Sequence, residues 1–342
     1  MVIAKLKERW MQKKSRQIVC AVWGLSNHAK SEIIPGLKKT GLYRLKWVGG
    51  SNEERAVLFR KRFKFQMHTT QFSEILEDTD VRAVFIITKN RMHAPLSLQA
   101  LRAGKAVFVE KPMVLTYEEC REIAKEVERS NQAFTVGISR RFSPVLRFVK
   151  EHIARRTSPA TVIYRFNQPK NKYFWADEEG GMITHMFAHY VDVPSWLLDE
   201  KPKIVYAESS SNEQKKEIQS KNVVATIKFS GGSIAAIVYT TDGDTSFERE
   251  VIDVFCEGKV VRMKNFKDVE IYDSGKIKRL SFSQDKGLRN QLTEFARKIK
   301  GERSEVISIE DCISSAVFPF KVVESIRMNN AVSLDWQKSN KK

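Results

Sequence analysis

The sequence predicts an α/β fold in which a doubly wound parallel sheet is followed by an α+β domain with an open, mostly antiparallel sheet. Short apolar strand patterns alternate with helical patterns over residues 18–138, the order typical of a parallel sheet. After Pro144, longer β-rich stretches follow one another with glycine turns such as Gly231-Gly232, which favour antiparallel pairing. With 342 residues, 42% of them hydrophobic, the chain can bury two cores.

The individual elements follow from these patterns in chain order. In the first region, apolar and β-branched runs predict strands at 18–23, 45–49, 83–87, 106–109 and 134–138. Helical patterns between them are expected after Ala29, from Glu53, after Pro95 and from Tyr117. In the second region, a helix after Pro144 leads to strands at 161–167, 223–229, 233–239 and 250–255, and helices near 287–300 and 311–328 complete the chain.

The composition disfavours several classes of protein. No apolar run approaches the length of a membrane span and the start does not read as a secretory signal, so we expect a cytoplasmic protein without a membrane partner. The four cysteines lack metal or disulfide spacing, which indicates reduced, packed thiols. The net charge of +18 favours anionic ligands. Its dispersal over the chain indicates a solvated basic surface rather than nucleic-acid binding.

A glycine-containing turn follows the first predicted strand and opens the first helix. It reads Gly24-Leu-Ser26-Asn27-His28-Ala and fits the G-x-G-x-x-G/A fingerprint of dinucleotide-binding units, except that serine replaces the middle glycine. That glycine normally lets the backbone approach the pyrophosphate, so Ser26 either narrows the approach or offers a hydroxyl to a phosphate oxygen. The turn therefore predicts a nucleotide site, and the alternative is a strand-to-helix turn that binds nothing.

The end of the second strand bears on which dinucleotide is bound. An NAD site usually has an acidic residue there for the ribose 2′-hydroxyl, and none lies near Gly50. Ser51, Asn52 and Arg55 instead offer hydrogen-bond donors to a 2′-phosphate, which favours NADP over NAD. The alternative is that these residues only form the cap and first turn of the helix that starts at Glu53.

The strand at 106–109 ends in Glu110-Lys111-Pro112. Ligands of open parallel sheets bind at the carboxyl ends of the strands, so we expect Lys111 to lie beside the bound molecule. A second set of polar residues follows the strand at 83–87 and is expected at the same edge, where with Glu110 and Lys111 it would bind the cofactor: Thr88, Asn90 and His93.

A helical pattern in the second region carries two histidines. After the pair Gly180-Gly181 the chain reads Met-Ile-Thr-His185-Met-Phe-Ala-His189-Tyr-Val-Asp192. Residues four apart share a helical face, so we expect the two imidazoles to point into one site. An imidazole that titrates near neutrality is suited to removing a hydroxyl proton as hydride leaves the carbon.

These motifs together resemble the Gfo/Idh/MocA oxidoreductase family over nearly the whole chain from Ile18. The family has an E-K-P signature like that at Lys111, and a glycine pair that opens a helix carrying D-x-x-x-H and then an aspartate. The resemblance implies that Lys111 lies between a nicotinamide ring and a sugar or polyol. It also implies that His189 is the family's histidine and Asp192 the aspartate that follows it.

The residue at 185 is the main departure from the family pattern, because His185 stands where the usual catalytic aspartate is found. We expect His189 to act as general base and Lys111 to hydrogen-bond the reacting oxygen and stabilise negative charge on it. His185 would orient the substrate or relay the proton. A zinc site is the alternative suggested by H-x-x-x-H spacing with Asp192, but the glutamate of H-E-x-x-H is missing and we predict no metal.

Two further stretches, 137–144 and 285–291, resemble family members fused behind an alcohol-dehydrogenase-like domain, which often also lack the usual aspartate. We expect a set of polar side chains to bind substrate hydroxyls, or a carboxylate or phosphate, against the alternative of ordinary surface residues: Arg140, Arg141, Arg165, Asn167 and Asp192.

These motifs divide the chain into three parts. Residues 1–17 form a basic N-terminal extension, residues 18–139 a dinucleotide-binding Rossmann domain, and residues 140–342 an α+β domain for substrate binding and oligomerisation. The sequence thus predicts an NADP- or NAD-dependent oxidoreductase acting on a secondary alcohol of a sugar, polyol or nucleotide sugar. Two alternatives stay open, a degenerate non-catalytic ligand-binding or regulatory protein and an NAD-dependent glycosidase-like enzyme. The resemblance also implies a homodimer or homotetramer.

Overall fold

The computed structural model describes residues 17–168, 181–210 and 222–335. The predicted N-terminal extension lies outside the described residues except for Gln17. The chain divides into two compact units. The first unit runs to Gly137 and takes in Leu288–Cys312, and the second comprises Ile138–Gly287 and the chain from Ile313 onward.

A parallel sheet of six strands forms the centre of the first unit. Its strands are β1 (Ile18–Trp23), β2 (Tyr43–Gly49), β3 (Met67–Thr69), β4 (Ala83–Ile86), β5 (Ala106–Val109) and β6 (Phe134–Val136). They lie in the order β3-β2-β1-β4-β5-β6, and every neighbouring pair is parallel. The predicted doubly wound sheet is confirmed, and its strand order reverses between β1 and β4, where such sheets bind ligands.

Two of the five α-helices within residues 17–137 of the first unit begin at side-chain caps. The five are α1 (Ile34–Thr40), preceded by a π-helical turn (Ala29–Ile33), then α2 (Glu53–Phe63), α3 (Phe72–Glu77), α4 (His93–Arg102) and α5 (Tyr117–Ser130). Thr116 and Glu119 form a capping box at the start of α5, each side chain accepting a backbone N–H of the other residue. Asn52 caps α2 in a related way, since its side chain accepts the Arg55 N–H.

A nine-stranded sheet forms the second unit. Its strands are β7 (Thr161–Asn167), β8 (Pro202–Ser209), β9 (Val223–Phe229), β10 (Ile234–Thr240), β11 (Glu250–Cys256), β12 (Lys259–Lys264), β13 (Asp268–Asp273), β14 (Lys276–Ser281) and β15 (Val332–Ser333). They lie in the order β14-β13-β12-β11-β7-β10-β9-β8-β15. Only β7 and β10 pair in parallel, so the sheet is mostly antiparallel, as predicted.

Helices pack against this second sheet and share its core. They are α6 (Pro144–Ile153), α7 (Gly181–Met186), α8 (Ala188–Leu198) and, later in the chain, α10 (Ile309–Met328), whereas α9 (Leu288–Ile299) packs in the core of the first unit. Leu146 of α6 and Tyr190 of α8 are fully buried against strand residues such as Tyr164 and Ile252. The division between the two units falls within α10, after Cys312.

Helix α9 belongs to the first unit, whereas the sequence-based division assigns it to the second domain. Its Phe295 ring lies 5.9 Å from that of Phe85 and 6.1 Å from that of Phe108, both on strands of the parallel sheet. The Tyr43 hydroxyl also donates a hydrogen bond of 2.7 Å to the Leu292 carbonyl. The apolar face of α9 thus completes the first core, and no local pattern in the sequence indicates which sheet such a face will cover.

Candidate active site

The turn after β1 requires glycine at its first position. Gly24 has φ +124°, and a Cβ atom there would lie 2.0 Å from the Ile87 carbonyl oxygen. The Gly24 N–H donates a 2.8 Å hydrogen bond to Gly49 O at the end of β2. These contacts fix the turn against the ends of β2 and β4, at the reversal point of the sheet.

Ser26, which replaces the middle glycine of the fingerprint, caps the helical segment that follows. The Ala29 N–H donates to Ser26 Oγ at 3.1 Å, and the Lys30 N–H donates to Ser26 O at 3.1 Å. The hydroxyl oxygen accepts the capping bond, while its proton can still be donated to an anion. Ser26 is partly exposed, and Asn27 and His28 are exposed. The turn therefore offers a phosphate a hydroxyl proton and a helix start, which fits a dinucleotide.

Of the residues after β2, Asn52 caps the following helix and Arg55 contacts the nucleotide turn. Asn52 Oδ1 accepts the Arg55 N–H at 2.8 Å, so the capping alternative holds for Asn52. The Arg55 guanidinium donates to the Leu25 carbonyl, which places its charge beside the Gly24 turn. Glu53, the first carboxylate after this strand, lies 2.8 Å from His68 Nε2. Ser51, Asn52 and Arg55 are all exposed at this edge.

Glu110 is a buried carboxylate that joins two strand ends of the first unit. Its Oε1 lies 3.0 Å from His28 Nε2, and its Oε2 accepts the Lys111 N–H at 3.2 Å. Burial alone would raise the pKa of Glu110, but His28, Lys111 and His93 bring it below its usual value. Burial lowers the pKa of His28, and the Glu110 charge outweighs this and raises it. The Glu110 carboxylate is thus ionised, and it favours the protonated form of His28.

The polar residues after β4 are mostly enclosed. His93 is 1% exposed, with Nδ1 2.7 Å from Pro112 O and Nε2 3.2 Å from Thr88 O. Burial lowers the pKa of His93, and the contacts of its ring join the segment after β4 to the one after β5. Asn90 is buried at the start of a 3₁₀ turn. Thr88 and Lys111 remain partly exposed.

The two histidines of the second unit lie on separate helices, not on the single helix expected from the sequence. His185 belongs to α7 and His189 to α8, and the helices are interrupted at Phe187. The Phe187 N–H donates to Ile183 O at 2.9 Å, but the Tyr190 N–H donates to Phe187 O in a tighter 3.0 Å turn. The assumption of one helical face therefore does not apply. His185 is partly exposed and His189 is 7% exposed.

Arg140 and Arg141 are buried, and each binds a carboxylate of its own unit. Arg141 Nε donates to Asp192 Oδ2 at 3.2 Å, and Arg141 Nη2 donates to Asp192 Oδ1. Arg140 donates to the two oxygens of Glu250 at 2.9 and 3.2 Å. These are bidentate pairs of the kind that fix geometry. Of the predicted substrate-binding residues, Arg141 and Asp192 are brought together, and they tie the turn before α6 to the helix of His189.

Arg165 and Asn167 lie at the end of β7 and hold the turn before β11. Arg165 donates to the Glu248 carbonyl at 3.2 Å and lies 4.2 Å from the centre of the Phe247 ring. Asn167 Nδ2 donates to Asp244 O at 2.8 Å. Both side chains thus hold the turn before β11 in position.

The sequence-based reasoning missed the carboxylate to which Arg140 binds. Glu250 is 1% exposed and also accepts bonds from the Tyr164 hydroxyl at 2.9 Å and Lys286 Nζ at 2.8 Å. Its only signal in the sequence is an acidic residue that opens a mostly apolar strand. Within the described ranges no group of three or more metal-ligating side chains occurs, and no helix is long and apolar enough to cross a membrane.

Comparisons with known proteins bear on the same two units. A family model described as "Oxidoreductase family, NAD-binding Rossmann fold" matches residues 18–138, and one described as "GFO/IDH/MocA C-terminal domain" matches residues 151–261. The chain is 25% identical over 328 residues to a 1,5-anhydro-D-fructose reductase of Ensifer adhaerens, covering 92% of this chain and 98% of that protein. It is 28% identical to a scyllo-inositol 2-dehydrogenase (NAD(+)) of Bacillus subtilis, over 53% and 54% of the two chains.

The fold is also found in solved structures. A levoglucosan dehydrogenase, in complex with NADH and levoglucosan, superposes with a TM-score of 0.80 at 18% identity, covering 93% of this chain and 100% of that one. The two family models together match more than half of the chain, and they agree with the parallel sheet and with the mostly antiparallel sheet described above. The chain therefore belongs to the Gfo/Idh/MocA oxidoreductase family.

Proposed function

We propose that this chain transfers a hydride between a nicotinamide cofactor and a secondary alcohol of a sugar, polyol or nucleotide sugar. The observation that carries the proposal is the end of β5, where the Glu110 carboxylate is buried against His28 and Lys111 follows it, partly exposed. Relatives named as a reductase of 1,5-anhydro-D-fructose and a dehydrogenase of scyllo-inositol support the substrate class.

The first unit fits a dinucleotide. Ser26 offers a hydroxyl proton to a phosphate oxygen, and Arg55 lies beside the same turn, where it can meet a 2′-phosphate. Because no carboxylate stands at the end of β2 itself, and the first one after it, Glu53, is in contact with His68, we propose that NADP is preferred over NAD. A bound nicotinamide supplies the hydride acceptor or donor.

Lys111 and His189 are proposed to act on the same reacting hydroxyl. Lys111 Nζ donates a hydrogen bond to the substrate oxygen and stabilises the negative charge that develops on it. A ring nitrogen of His189 takes the hydroxyl proton in the oxidative direction and returns it in the reductive direction. His185, which replaces the usual aspartate, orients the substrate or relays this proton.

Arg140, Arg165, Asn167 and the pair formed by Arg141 and Asp192 are proposed to shape the substrate site. The Arg141 pair holds the helix of His189 and thereby restricts the position of the imidazole. We also propose that the basic surface attracts an anionic ligand rather than nucleic acid, because exposed charges are screened beyond about 8 Å at physiological salt. Salt-resistant, sequence-selective binding of DNA or RNA would contradict this.

Three wider assignments accompany the proposal. We propose a cytoplasmic location, because the four cysteines are buried free thiols and disulfides are rare in that compartment. We propose a homodimer or homotetramer, which light scattering can test. We also propose that, among family members, the chain is closest to those fused behind an alcohol-dehydrogenase-like domain, with the stretches at 137–144 and 285–291 as support.

Cofactor binding is the first test. Purified protein is titrated with NADPH and NADH at one salt concentration, with nicotinamide fluorescence as the readout. Tighter binding of NADPH is expected, and tighter binding of NADH would contradict the assigned preference. If neither coenzyme binds, the oxidoreductase proposal fails and the non-catalytic alternative replaces it.

The second test separates chemistry from binding. Single-turnover reduction of bound cofactor, with an alcohol found by screening, is measured for Lys111→Met and His189→Ala. Each should lower the hydride-transfer rate by about a hundredfold or more while leaving cofactor affinity largely intact. His152→Ala is the matched control, since His152 bonds only to the Phe148 carbonyl of its own helix among the described contacts. Unchanged rates in both variants would remove the mechanism.

A further inference from the structure

His28 connects the nucleotide turn to the end of β5. It follows β1, yet its Nε2 reaches Glu110 Oε1 at 3.0 Å. In the sheet β4 lies between β1 and β5, so the side chain spans the edge where the strand order reverses. The imidazole is about half exposed, at 47%, whereas the Glu110 side chain is 10% exposed. His28 thus presents one face to solvent and the other to a buried carboxylate.

The Glu110 carboxylate has little freedom to move. A Cβ atom on Gly137 would lie 2.6 Å from Oε1 and 2.8 Å from Oε2, so the carboxylate packs closely against the backbone of Gly137, the residue directly after β6. Its other fixed contact is the Lys111 N–H at 3.2 Å. Because Glu110 directly precedes Lys111, a displacement of the carboxylate would shift the backbone that carries the lysine.

The charges around His28 determine what its proton does. The titratable groups that bear on it are Glu110 and Glu32, which favour the imidazolium, and Lys111, which opposes it. His93 also lowers the pKa of Glu110, while burial lowers the pKa of His93 itself. With His28 protonated, the pair with Glu110 has no net charge. With His28 neutral, the buried Glu110 carboxylate loses its hydrogen-bonded counter-ion, and Lys111 offsets its charge only in part.

We propose that His28 is a positioning residue whose proton couples cofactor binding to pH: as imidazolium it fixes Glu110 beside Lys111 and cancels a negative charge facing the cofactor phosphates. This inference rests on the proposed function. An anionic dinucleotide binds more tightly to the protonated form, so by linkage its binding takes up a proton and its affinity falls as pH rises through the His28 pKa.

The test compares cofactor dissociation constants for the wild type and His28→Gln between pH 5.5 and 9. The same coenzyme is used throughout, so its own titration cancels in the ratio of the two constants. The variant should bind about tenfold more weakly than wild type at pH 6, the factor equal to one pKa unit, and the ratio should approach one above pH 8. Calorimetry in two buffers of different ionisation enthalpy should show proton uptake in the wild type alone.

A double-mutant cycle supplies the second measurement. His28→Gln should lower cofactor affinity because the Glu110 carboxylate has lost its counter-ion, so adding Glu110→Gln should restore much of that affinity. The effects of the two substitutions on the binding free energy would then not be additive, as they would be for independent residues. His152→Gln is the matched control and should follow the wild type at every pH. A pH-independent ratio together with additive substitutions would overturn the inference while cofactor binding, and thus the proposed function, survived. Failure of the wild type to bind either coenzyme would overturn both.

Discussion

Replacing Glu250 by glutamine should destabilise the protein mainly above pH 4.5. Glu250 is 1% exposed and accepts hydrogen bonds from Arg140, Lys286 and Tyr164. Burial raises its pKa, but the two cations and the hydrogen bonds outweigh this and lower it from 4.5 to about 2. Glutamine keeps the size of the side chain and removes the charge, so Arg140 would lose its buried counter-ion.

The size of the effect follows from the same pKa difference. At 1.36 kcal/mol per pKa unit, the ionised carboxylate contributes about 3 kcal/mol to the free energy of unfolding. Removing one partner of a buried ion pair typically costs about 3–5 kcal/mol, which agrees with this value. Since the folded pKa of Glu250 is depressed, this contribution is fully present above the unfolded pKa near 4.5. It is lost as pH falls from there towards about 2.

Urea unfolding followed by far-ultraviolet circular dichroism measures this difference. Glu250→Gln should lower the free energy of unfolding at pH 7, and the gap to wild type should narrow as pH falls below 4.5. Glu248→Gln is the matched control, because Glu248 is a neighbouring, 40% exposed carboxylate paired with Arg165, and exposed pairs contribute little. A loss below about 1 kcal/mol at pH 7, or a gap that does not change with pH, would refute the account of Glu250.

Three other outcomes are expected. Gly24→Ala should lower the melting temperature and abolish cofactor binding, because the added Cβ would overlap the Ile87 carbonyl. If fluorescence titration shows that this variant binds the coenzyme as tightly as the wild type, the turn geometry is contradicted. Asp192→Ala should destabilise the protein by about 3–5 kcal/mol in urea unfolding, since Arg141 is buried with it, and a change near zero would count against the pair. Native protein should react slowly with a thiol reagent at pH 8, because the four cysteines are buried and burial raises the pKa of Cys120 to about 12. Unfolding in urea should make all four thiols reactive, and rapid labelling of the native protein would contradict their burial.

The sequence predicts those elements best whose apolar pattern is set by local neighbours. The strands at Ile18–Trp23, Thr161–Asn167 and Val223–Phe229 have the predicted limits, because apolar or alternating runs end at polar or turn residues. The strand Lys276–Ser281 was not predicted. It is the exposed edge of its sheet and is rich in lysine and arginine, so it has no buried face to produce an apolar pattern.

Pairings between side chains that are far apart in the sequence cannot be predicted from the hydrophobic pattern. Arg141 and Asp192 are both anticipated at the site, but their pairing depends on how the turn at Ser139–Phe142 meets α8. Glu250 lies 110 residues from Arg140, and nothing in the local sequence links them. Ser26 was expected either to obstruct or to bind a phosphate, and the structure adds a capping bond that leaves its proton available.

The net charge of +18 says little about the candidate site residues, because three of the cations among them are paired with carboxylates of their own unit. Arg140 is bound to Glu250, Arg141 to Asp192 and His28 to Glu110, and each of these carboxylates is buried. Buried pairs are screened much less by salt than exposed charges are, so their geometry persists where the diffuse basic surface loses its attraction. Of these three cations, His28 is the one that can lose its charge, whereas the arginines cannot, so the pH dependence proposed for cofactor binding lies with the pair of His28 and Glu110 at the end of β5.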